Sequence, residues 1–376
     1  MYIDIREIES TEAAEIFTTA TPQPDLPVQK QAEEIFTAIN ELLQKMGAWI
    51  LEERVFATEN AMGVITSIRK NVYGDLDDGV GPTSLIVSEG MYGEIAGVQV
   101  HAVRSRQKPE ILHSEGTACG RVLRQDGKRY IVLSGISASE AGQAPEQVQA
   151  MLKKAESALR QGGGNMFSVV RTWIWLDDIL SWYKDFNSVR TQFFVEQGLI
   201  KGNTKYHLPA STGIGVAPKG GAKCALDLFA VVGAQDSIKF LIKGGEQGSA
   251  FEYGSAFSRA SRAVTPGGET VFVSGTAAVS PEGATEHVGD IRAQIRSTIS
   301  HVRAVLKDMD CKEQDVVQMV AYCKNEEVEK VFGTMRGDLP LPGLTVIANI
   351  CREDLLFEID VTACPGAHHH SVTPTL

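Results

Sequence analysis

Apolar residues recur at helical spacing in three separate parts of the chain. The segments that share this spacing are residues 28–46, 145–161 and 290–309. In the first, Ile35, Phe36, Ile39 and Leu43 fall on one face of a helix with a period of 3.6 residues. After each helix comes a run of branched and aromatic residues that favours a strand. These runs are residues 49–58, 168–176 and 315–322. The chain therefore repeats one helix–strand pattern three times.

Each repeat also closes with a strand whose residues alternate between apolar and polar types, as in a half-buried strand. These strands are residues 97–103, 225–231 and 356–362. A second helix is predicted over residues 179–197 and 326–335, and a strand before the first helix over residues 129–135 and 269–275. The predicted fold class is α+β, with three tandem domains. We expect them to span residues 1–103, 104–245 and 246–364, with a flexible tail at 365–376.

Charge and hydropathy narrow the range of partners. The chain carries 36 Lys and Arg against 47 Asp and Glu, a net charge of -11, which disfavours nucleic acid and anionic membranes. No apolar run approaches the roughly 18 residues of a membrane helix, and acidic residues occupy the N-terminus where a signal peptide would be basic. A cytoplasmic protein is expected, with no membrane partner.

The cysteines and histidines give no strong signal for a metal or a disulfide. The six cysteines contain no C-x-x-C pair and no matched histidine spacing, so buried free thiols are the simplest interpretation. The run 368–370 is all histidine but lies in the predicted tail, where disorder is the expected state. No nucleotide-binding glycine motif occurs. We therefore expect no metal and no cofactor.

Each repeat has the order strand, Ser-Gly turn, long helix, strand, helix, Pro-bearing loop and final strand. This order resembles that of the YjgF-like (reactive-intermediate deaminase) family. That resemblance implies a chorismate-mutase-like fold for each domain. Members of the family form homotrimers with clefts between subunits. Three copies in one chain therefore imply an internal pseudo-trimer, present as a monomer or a small homo-oligomer.

Residues 104–364 resemble, more narrowly, the chorismatases. These enzymes combine a divergent YjgF-like domain with a second one that retains the family's motifs. In the second repeat the matching motifs are Val170-Arg-Thr-Trp-Ile-Trp175, Phe186-Asn187 with Arg190, and Pro209-Ala-Ser-Thr-Gly-Ile-Gly215. In the third they are Tyr253-Gly254, Phe257-Ser-Arg-Ala260, Ser274-Gly-Thr-Ala277, His287-Val-Gly-Asp290 and Ile350-Cys-Arg-Glu-Asp-Leu-Leu-Phe-Glu358. Ser280-Pro281 replaces a Gly-His pair common in chorismatases, which are also expected to lack the first copy.

The three closing strands identify a candidate proton donor. At one shared position they carry Gln99, Asp227 and Glu358. A carboxyl in a dry cleft has its pKa raised and can donate a proton near neutrality. The resemblance implies hydrolysis of the enol ether of chorismate or a related enolpyruvyl compound, with Glu358 as the general acid. Pyruvate and a cyclohexadiene or hydroxybenzoate acid would be released. A solvated carboxylate is the alternative interpretation of Glu358.

Other residues of the third repeat complete the predicted site for a small anionic metabolite. Cys351 matches a cysteine of chorismatases that make a hydroxybenzoate, and is either catalytic or a small core residue. Arginine pairs bidentately with carboxylates, which suits a dianionic substrate. The predicted substrate-binding residues are Arg259, Ser274, Gly275, Thr276, His287, Gln294, Tyr322, Lys324 and Arg352.

Two other functions remain open from the residues alone. An enamine or imine deaminase of the same family usually needs an arginine on the Pro-bearing loop, and none of the three loops, which begin at Pro82, Pro209 and Pro342, carries one. A non-catalytic metabolite-binding protein is favoured if the missing Gly-His pair is essential. The first repeat, with Gln99 in place of an acid, is expected to be structural.

Overall fold

A computed structural model describes residues 1–202, 205–339 and 341–369 of the chain. The first domain contains, in chain order, β1 (Tyr2–Glu9), β2 (Ala13–Thr21), α1 (Val28–Met46), β3 (Trp49–Ala57), α2 (Glu59–Tyr73), β4 (Thr83–Ile86) and β5 (Ile95–Ser105). Its strands lie in the order β4-β3-β5-β2-β1. Helix α1 ends at Gly47, whose φ of 61° is the left-handed conformation that glycine adopts without strain.

The second domain repeats this plan. It contains β6 (Glu110–Ser114), β7 (Thr117–Gln125), β8 (Lys128–Ser137), α3 (Ala144–Gln161), β9 (Val169–Leu176), α4 (Ile179–Glu196), β10 (Ile200–Lys201), β11 (Lys205–Tyr206), β12 (Ala210–Ile214), β13 (Ala217–Pro218) and β14 (Cys224–Val232). Its main sheet has the order β12-β9-β14-β8-β7-β6, while β10 and β11 pair separately. Strand β13 pairs with β4 and so extends the first sheet.

The third domain has the same organisation. It contains β15 (Lys239–Leu241), β16 (Ala260–Thr265), β17 (Gly268–Ala277), α5 (Ile291–Asp308), β18 (Val316–Cys323), α6 (Glu326–Met335), β19 (Gly343–Ile347), β20 (Phe357–Ala363) and β21 (His368–His369). The sheet order is β15-β16-β17-β20-β18-β19, so this sheet begins before residue 246. The Asp290 side chain accepts a hydrogen bond from Ala293 N and caps α5.

The C-terminal segment is ordered further than the sequence predicts. Strand β21 pairs antiparallel with β1, with His368 opposite Glu7 and His369 opposite Arg6. Two residues of the predicted tail, His368 and His369, thus pair with the open edge of β1, which provides backbone partners. His370 and the residues after it lie outside the described residues.

Three sheets with helices on one face each confirm the predicted α+β class. The other faces of the sheets meet in one shared apolar core, to which all three domains contribute. Phe56 of the first domain packs edge-on against Trp175 of the second, with ring centroids 5.8 Å apart. Trp173 packs likewise against Phe272 of the third. Because one core joins the three sheets, the clefts between domains are held in fixed positions.

Candidate functional site

A cavity of about 1180 Å³ lies between the second and third domains. One wall is α4 of the second domain, together with Ser211 and Gly213 of β12. The other wall is formed by β17, the start of β20 and the loops around residues 253–259 and 351–355 of the third domain. The volume is sufficient for a small organic acid.

Glu358 lies at the base of this cavity. It follows the first residue of β20, with β17 on one side and β18 on the other, and is 5% exposed. Burial, with a smaller contribution from Asp360, raises the pKa of Glu358 to about 8, although Arg171 and Arg259 act in the opposite direction. None of the described residues donates a hydrogen bond to its carboxyl. The side chain is therefore mainly protonated at neutral pH, and its carboxyl has no hydrogen-bond partner among the described residues.

Gly275 is the reason that the Glu358 carboxyl fits where it does. The two residues lie on neighbouring strands, and a Cβ atom at position 275 would be 2.1 Å from Glu358 Oε1. No side chain larger than hydrogen is compatible with that position of the carboxyl. The glycine of the Ser-Gly-Thr-Ala motif thus provides the space for the acid.

Three guanidinium groups surround the cavity. Arg259 donates from Nε and Nη2 to Gly248 O, at 3.0 and 2.9 Å, and from Nη2 to Tyr253 Oη. Arg352 donates from Nη1 to Gly283 O at 2.7 Å. Arg259 Nη1 and the remaining nitrogens of Arg352 have no hydrogen-bond partner among the described residues.

Arg190 of α4 is the third guanidinium, and it is 2% exposed. Its Nη2 donates to Asn187 Oδ1 at 2.6 Å, and its buried Nε has no partner among the described residues. Burial lowers its pKa. Together with Arg259 and Arg352 it makes the cavity attractive to anions.

Cys351 lies beside Glu358 and faces Tyr183 of α4. Burial raises the pKa of the thiol to about 12, and the neighbouring Glu358 adds to this effect. Burial also raises the pKa of Tyr183 to about 12. Both groups are neutral near pH 7, so Cys351 is not a thiolate nucleophile in this state. It shapes the wall next to the acid.

Three residues of the predicted substrate-binding set face the protein instead of the cavity. Ser274 is fully buried; its hydroxyl donates to Ser258 O at 2.5 Å and accepts from Ser211 N at 2.8 Å. Thr276 Oγ1 donates to Ser274 O, and Tyr322 Oη donates to Asp360 Oδ2 at 3.1 Å. Residues 274–276 belong to strand β17 and not to the predicted turn; adjacent residues of a strand point to opposite faces, and of these three only Gly275 borders the cavity. The prediction of ligand contacts is therefore corrected for these three.

Gln294, Lys324 and His287 are also outside the cavity wall. Gln294 donates to Asp354 O at 2.8 Å and accepts from Leu356 N at 2.9 Å, so it fastens the loop that carries Cys351. Lys324 pairs with Glu353 at 2.7 Å. His287 is exposed, with a φ of 52°. The structure therefore places these three residues outside the lining of the cavity.

Part of the wall was not assigned a role from the sequence. Tyr183, Asn187 and Arg190 are spaced at i, i+4 and i+7, which places them on one face of α4 towards the cavity. This polar stripe on a helix was the available signal. Among the aromatic residues of the second domain, Trp182 and Tyr183 line the cavity, whereas Trp173 and Trp175 belong to the shared core.

The counterparts of Glu358 in the other two domains face no such cavity. Asp227 is fully buried and accepts four hydrogen bonds, from Arg54 Nε, Thr83 Oγ1, Gly135 N and Trp175 Nε1. Gln99 donates to Met319 O at 3.0 Å. These contacts fill the clefts of the first domain, and of the three equivalent closing-strand positions only Glu358 lines the cavity.

Gly275→Ala should lower any Glu358-dependent turnover by about a hundredfold, because displacement of a catalytic group by an ångström has effects of that order. The new Cβ would displace the carboxyl at the end of a flexible side chain, so thermal stability should change little. Steady-state rates and thermal unfolding measure both effects. Gly63→Ala in α2, where nothing lies within 4 Å, is the matched control. Equal activity of the two variants would show that the carboxyl position is unimportant.

Within the described residues, no cluster of three or more His, Cys, Asp or Glu side chains is placed to hold a metal ion. None of the described helices combines the length and apolar character needed to cross a bilayer.

Comparison with known proteins gives a family model, a curated relative and several solved structures that this chain resembles. A family model described as endoribonuclease L-PSP matches residues 253–364. A RutC family protein from Pyrococcus abyssi is 25% identical over 100 residues, which are 26% of this chain and 79% of that protein. A Rid family protein from Yersinia pestis covers 34% of this chain and 98% of its own, at 20% identity and a TM-score of 0.29.

The crystal structure of a chorismatase matches nearly the whole chain. It covers 95% of this chain and 99% of its own, with 19% identity and a TM-score of 0.64. The expectation that chorismatases lack the first domain is therefore wrong, since a match of this coverage includes most of residues 1–103. The resemblance predicted from the sequence motifs is confirmed: this chain is similar to the L-PSP, or YjgF-like, family in its third domain, and to a chorismatase in the fold of all three.

Proposed function

We propose that the protein is a chorismatase-like enzyme that acts on chorismate or a related enolpyruvyl compound. In the proposed reaction Glu358 is the general acid, and pyruvate is released with a cyclohexadiene or hydroxybenzoate acid. The observation that carries this proposal is a neutral, buried carboxyl at the base of a cavity lined by three arginines. An acid that stays protonated near neutrality is what protonation of an enol ether requires.

The arginines suit a substrate with two carboxylates. Arg259 and Arg352 each keep nitrogens without partners among the described residues, and both line the cavity. Guanidinium binds carboxylate bidentately, and in a poorly solvated site each such pair is stronger than in water. Two separate arginines favour a dianion over a neutral enamine.

The chemistry proceeds through protonation of carbon. Glu358 transfers its proton to the terminal methylene of the enolpyruvyl group, which forms a C–H bond and leaves an oxocarbenium ion. Water adds to the cationic carbon and returns a proton to the Glu358 carboxylate. The hemiketal then breaks its bond to the ring oxygen, which gives pyruvate and the ring alcohol. Loss of water from that diol acid gives a hydroxybenzoate.

The direct test is incubation of purified protein with chorismate, followed by assay of pyruvate. Formation of pyruvate at a rate above that of Glu358→Gln supports the proposal. Ammonia released from enamine substrates, without pyruvate from chorismate, would instead identify a deaminase. Binding of chorismate without any turnover would identify a metabolite-binding protein.

The rate should depend on pH through Glu358. Because the acid form is the active form and its pKa is about 8, kcat should be constant below about pH 8 and fall about tenfold per pH unit above it. Steady-state rates measured across this range test the expectation. A basic limb close to 4.5, the ordinary value for a glutamic acid, would contradict the role of a neutral Glu358.

A further inference from the structure

A cluster of buried charges lies directly behind the cavity, where all three domains meet. The first domain contributes Arg54 with its partner Glu52, the second contributes Arg171 and Asp227, and the third contributes Asp360. Each of these side chains is 8% exposed or less. Ion pairs removed from water to this extent interact strongly, so the charge of each member affects its neighbours.

Asp360 connects this cluster to Glu358. The two carboxyls are two residues apart on β20 and therefore lie on the same face of the strand. Asp360 Oδ2 lies 3.4 Å from Arg171 Nη2 and accepts a hydrogen bond from Tyr322 Oη at 3.1 Å. Arg171 Nη2 also donates to Thr212 Oγ1 at 2.5 Å, and Thr212 Cγ2 borders the same space at Gly275 as the Glu358 carboxyl.

Both arginines of the cluster are already paired with aspartates. Arg54 is paired with Asp227 and stacks over Trp173, with its guanidinium carbon 3.8 Å from the ring centroid. Arg171 is paired with Asp360. Its guanidinium carbon also lies over the ring of Trp173, 4.5 Å from the ring centroid. With both arginines already paired, ionisation of Glu358 would add a further negative charge next to Asp360.

We propose that Asp360, with Arg171 as its counter-ion, is a positioning residue that keeps the Glu358 carboxyl in its neutral, proton-donating form. This inference rests on the proposed function, because it explains how that acid is maintained. It also gives the first domain a part in the site, since Arg54 neutralises Asp227 and leaves Arg171 to Asp360. The other titratable and charged groups that face Glu358 are Arg259, before β16, Cys351, in the loop before β20, and Tyr322, on β18.

The test reads the protonation of Glu358 without relying on turnover. Infrared difference spectra of the wild type against Glu358→Gln identify the carboxylic acid band of Glu358, and its loss with rising pH gives a midpoint. In Asp360→Asn we expect the midpoint to fall by about one pH unit. At a pH above the wild-type midpoint, the protonated fraction of Glu358 should then be about tenfold lower than in the wild type. The double variant Arg171→Met with Asp360→Asn removes the whole pair, and its midpoint should return towards that of the wild type.

Asp4→Asn is the matched control, because Asp4 is a buried carboxylate paired with Arg6 on β1, outside the cluster. It should leave the midpoint unchanged. A midpoint in Asp360→Asn that is unchanged or higher, or an equal fall in the single and double variants, would overturn the inference while leaving Glu358 as the acid. Absence of a Glu358 acid band in the neutral wild type would overturn both proposals. A shifted midpoint in a protein that forms no pyruvate would contradict the proposed reaction alone.

Discussion

Replacing Glu358 by glutamine should reduce pyruvate formation from chorismate by about a hundredfold to ten-thousandfold, the usual contribution of a positioned general acid. Glutamine keeps the volume of the side chain but has no proton to transfer to carbon. The expected effect is on kcat, with KM changed little, because the arginines that hold the substrate carboxylates are untouched. Steady-state kinetics over a range of chorismate concentrations measures both parameters.

The fold should survive this substitution, and at alkaline pH it should become more stable. The pKa of Glu358 rises from its ordinary value of 4.5 to about 8 on folding, so the stabilising contribution is complete below about 4.5 and is lost as pH rises to 8. Glutamine has no proton to lose and stays uncharged as pH rises. Thermal unfolding above pH 8 should therefore show a higher midpoint for the variant than for the wild type.

Glu329→Gln is the matched control for this experiment. Glu329 lies on α6 of the same domain, is buried, and has its pKa raised by burial, but its Oε2 accepts from Met91 N away from the cavity. Turnover in this variant should stay near that of the wild type. Equal loss in both variants would indicate a general effect of removing buried carboxyls, and full activity of Glu358→Gln would place the proton donor elsewhere.

The regular elements were predictable where apolar periodicity is strong. The bounds of α1 and α6 agree with the sequence prediction, and the closing strands of all three domains agree to within two residues at each end. Strand β7 was missed, because Arg121 interrupts its apolar pattern. That arginine is 1% exposed and pairs with Asp78 of the first domain, 43 positions away. A buried charge compensated by a distant partner cannot be recognised from local periodicity.

The candidate site was predictable at its centre and less so around it. Comparison of the three closing strands identified Glu358, because only the residue type at that position had to be read. Ser274, which begins the Ser-Gly-Thr-Ala motif, and Tyr322 were predicted to bind substrate, whereas their hydroxyls donate hydrogen bonds to Ser258 O and Asp360 Oδ2. The opposite wall comes from α4, and which face of a helix borders a cavity depends on how the domains pack.

Asp227→Asn should have the opposite consequence to Glu358→Gln, with a large loss of stability and little effect on catalysis by the folded protein. Asp227 occupies the equivalent position of the second domain, but its carboxylate is fully buried and ion-paired with Arg54 at 3.1 Å. Removing its charge leaves a buried guanidinium with only Glu52 as a partner, and breaking a buried pair in this way costs about 3–5 kcal/mol of unfolding free energy. Denaturant titration should show that loss as a lower midpoint, and kcat measured on protein that remains folded should fall far less than in Glu358→Gln. The difference arises from the filling of the two clefts: Thr83, Gly135 and Trp175 occupy the donor positions around Asp227, where a substrate would have to bind.

If Asp227→Asn were as stable as the wild type yet inactive, the reaction would belong to the cleft between the first and second domains. If both variants were silent, the acid would have to be sought outside the closing strands.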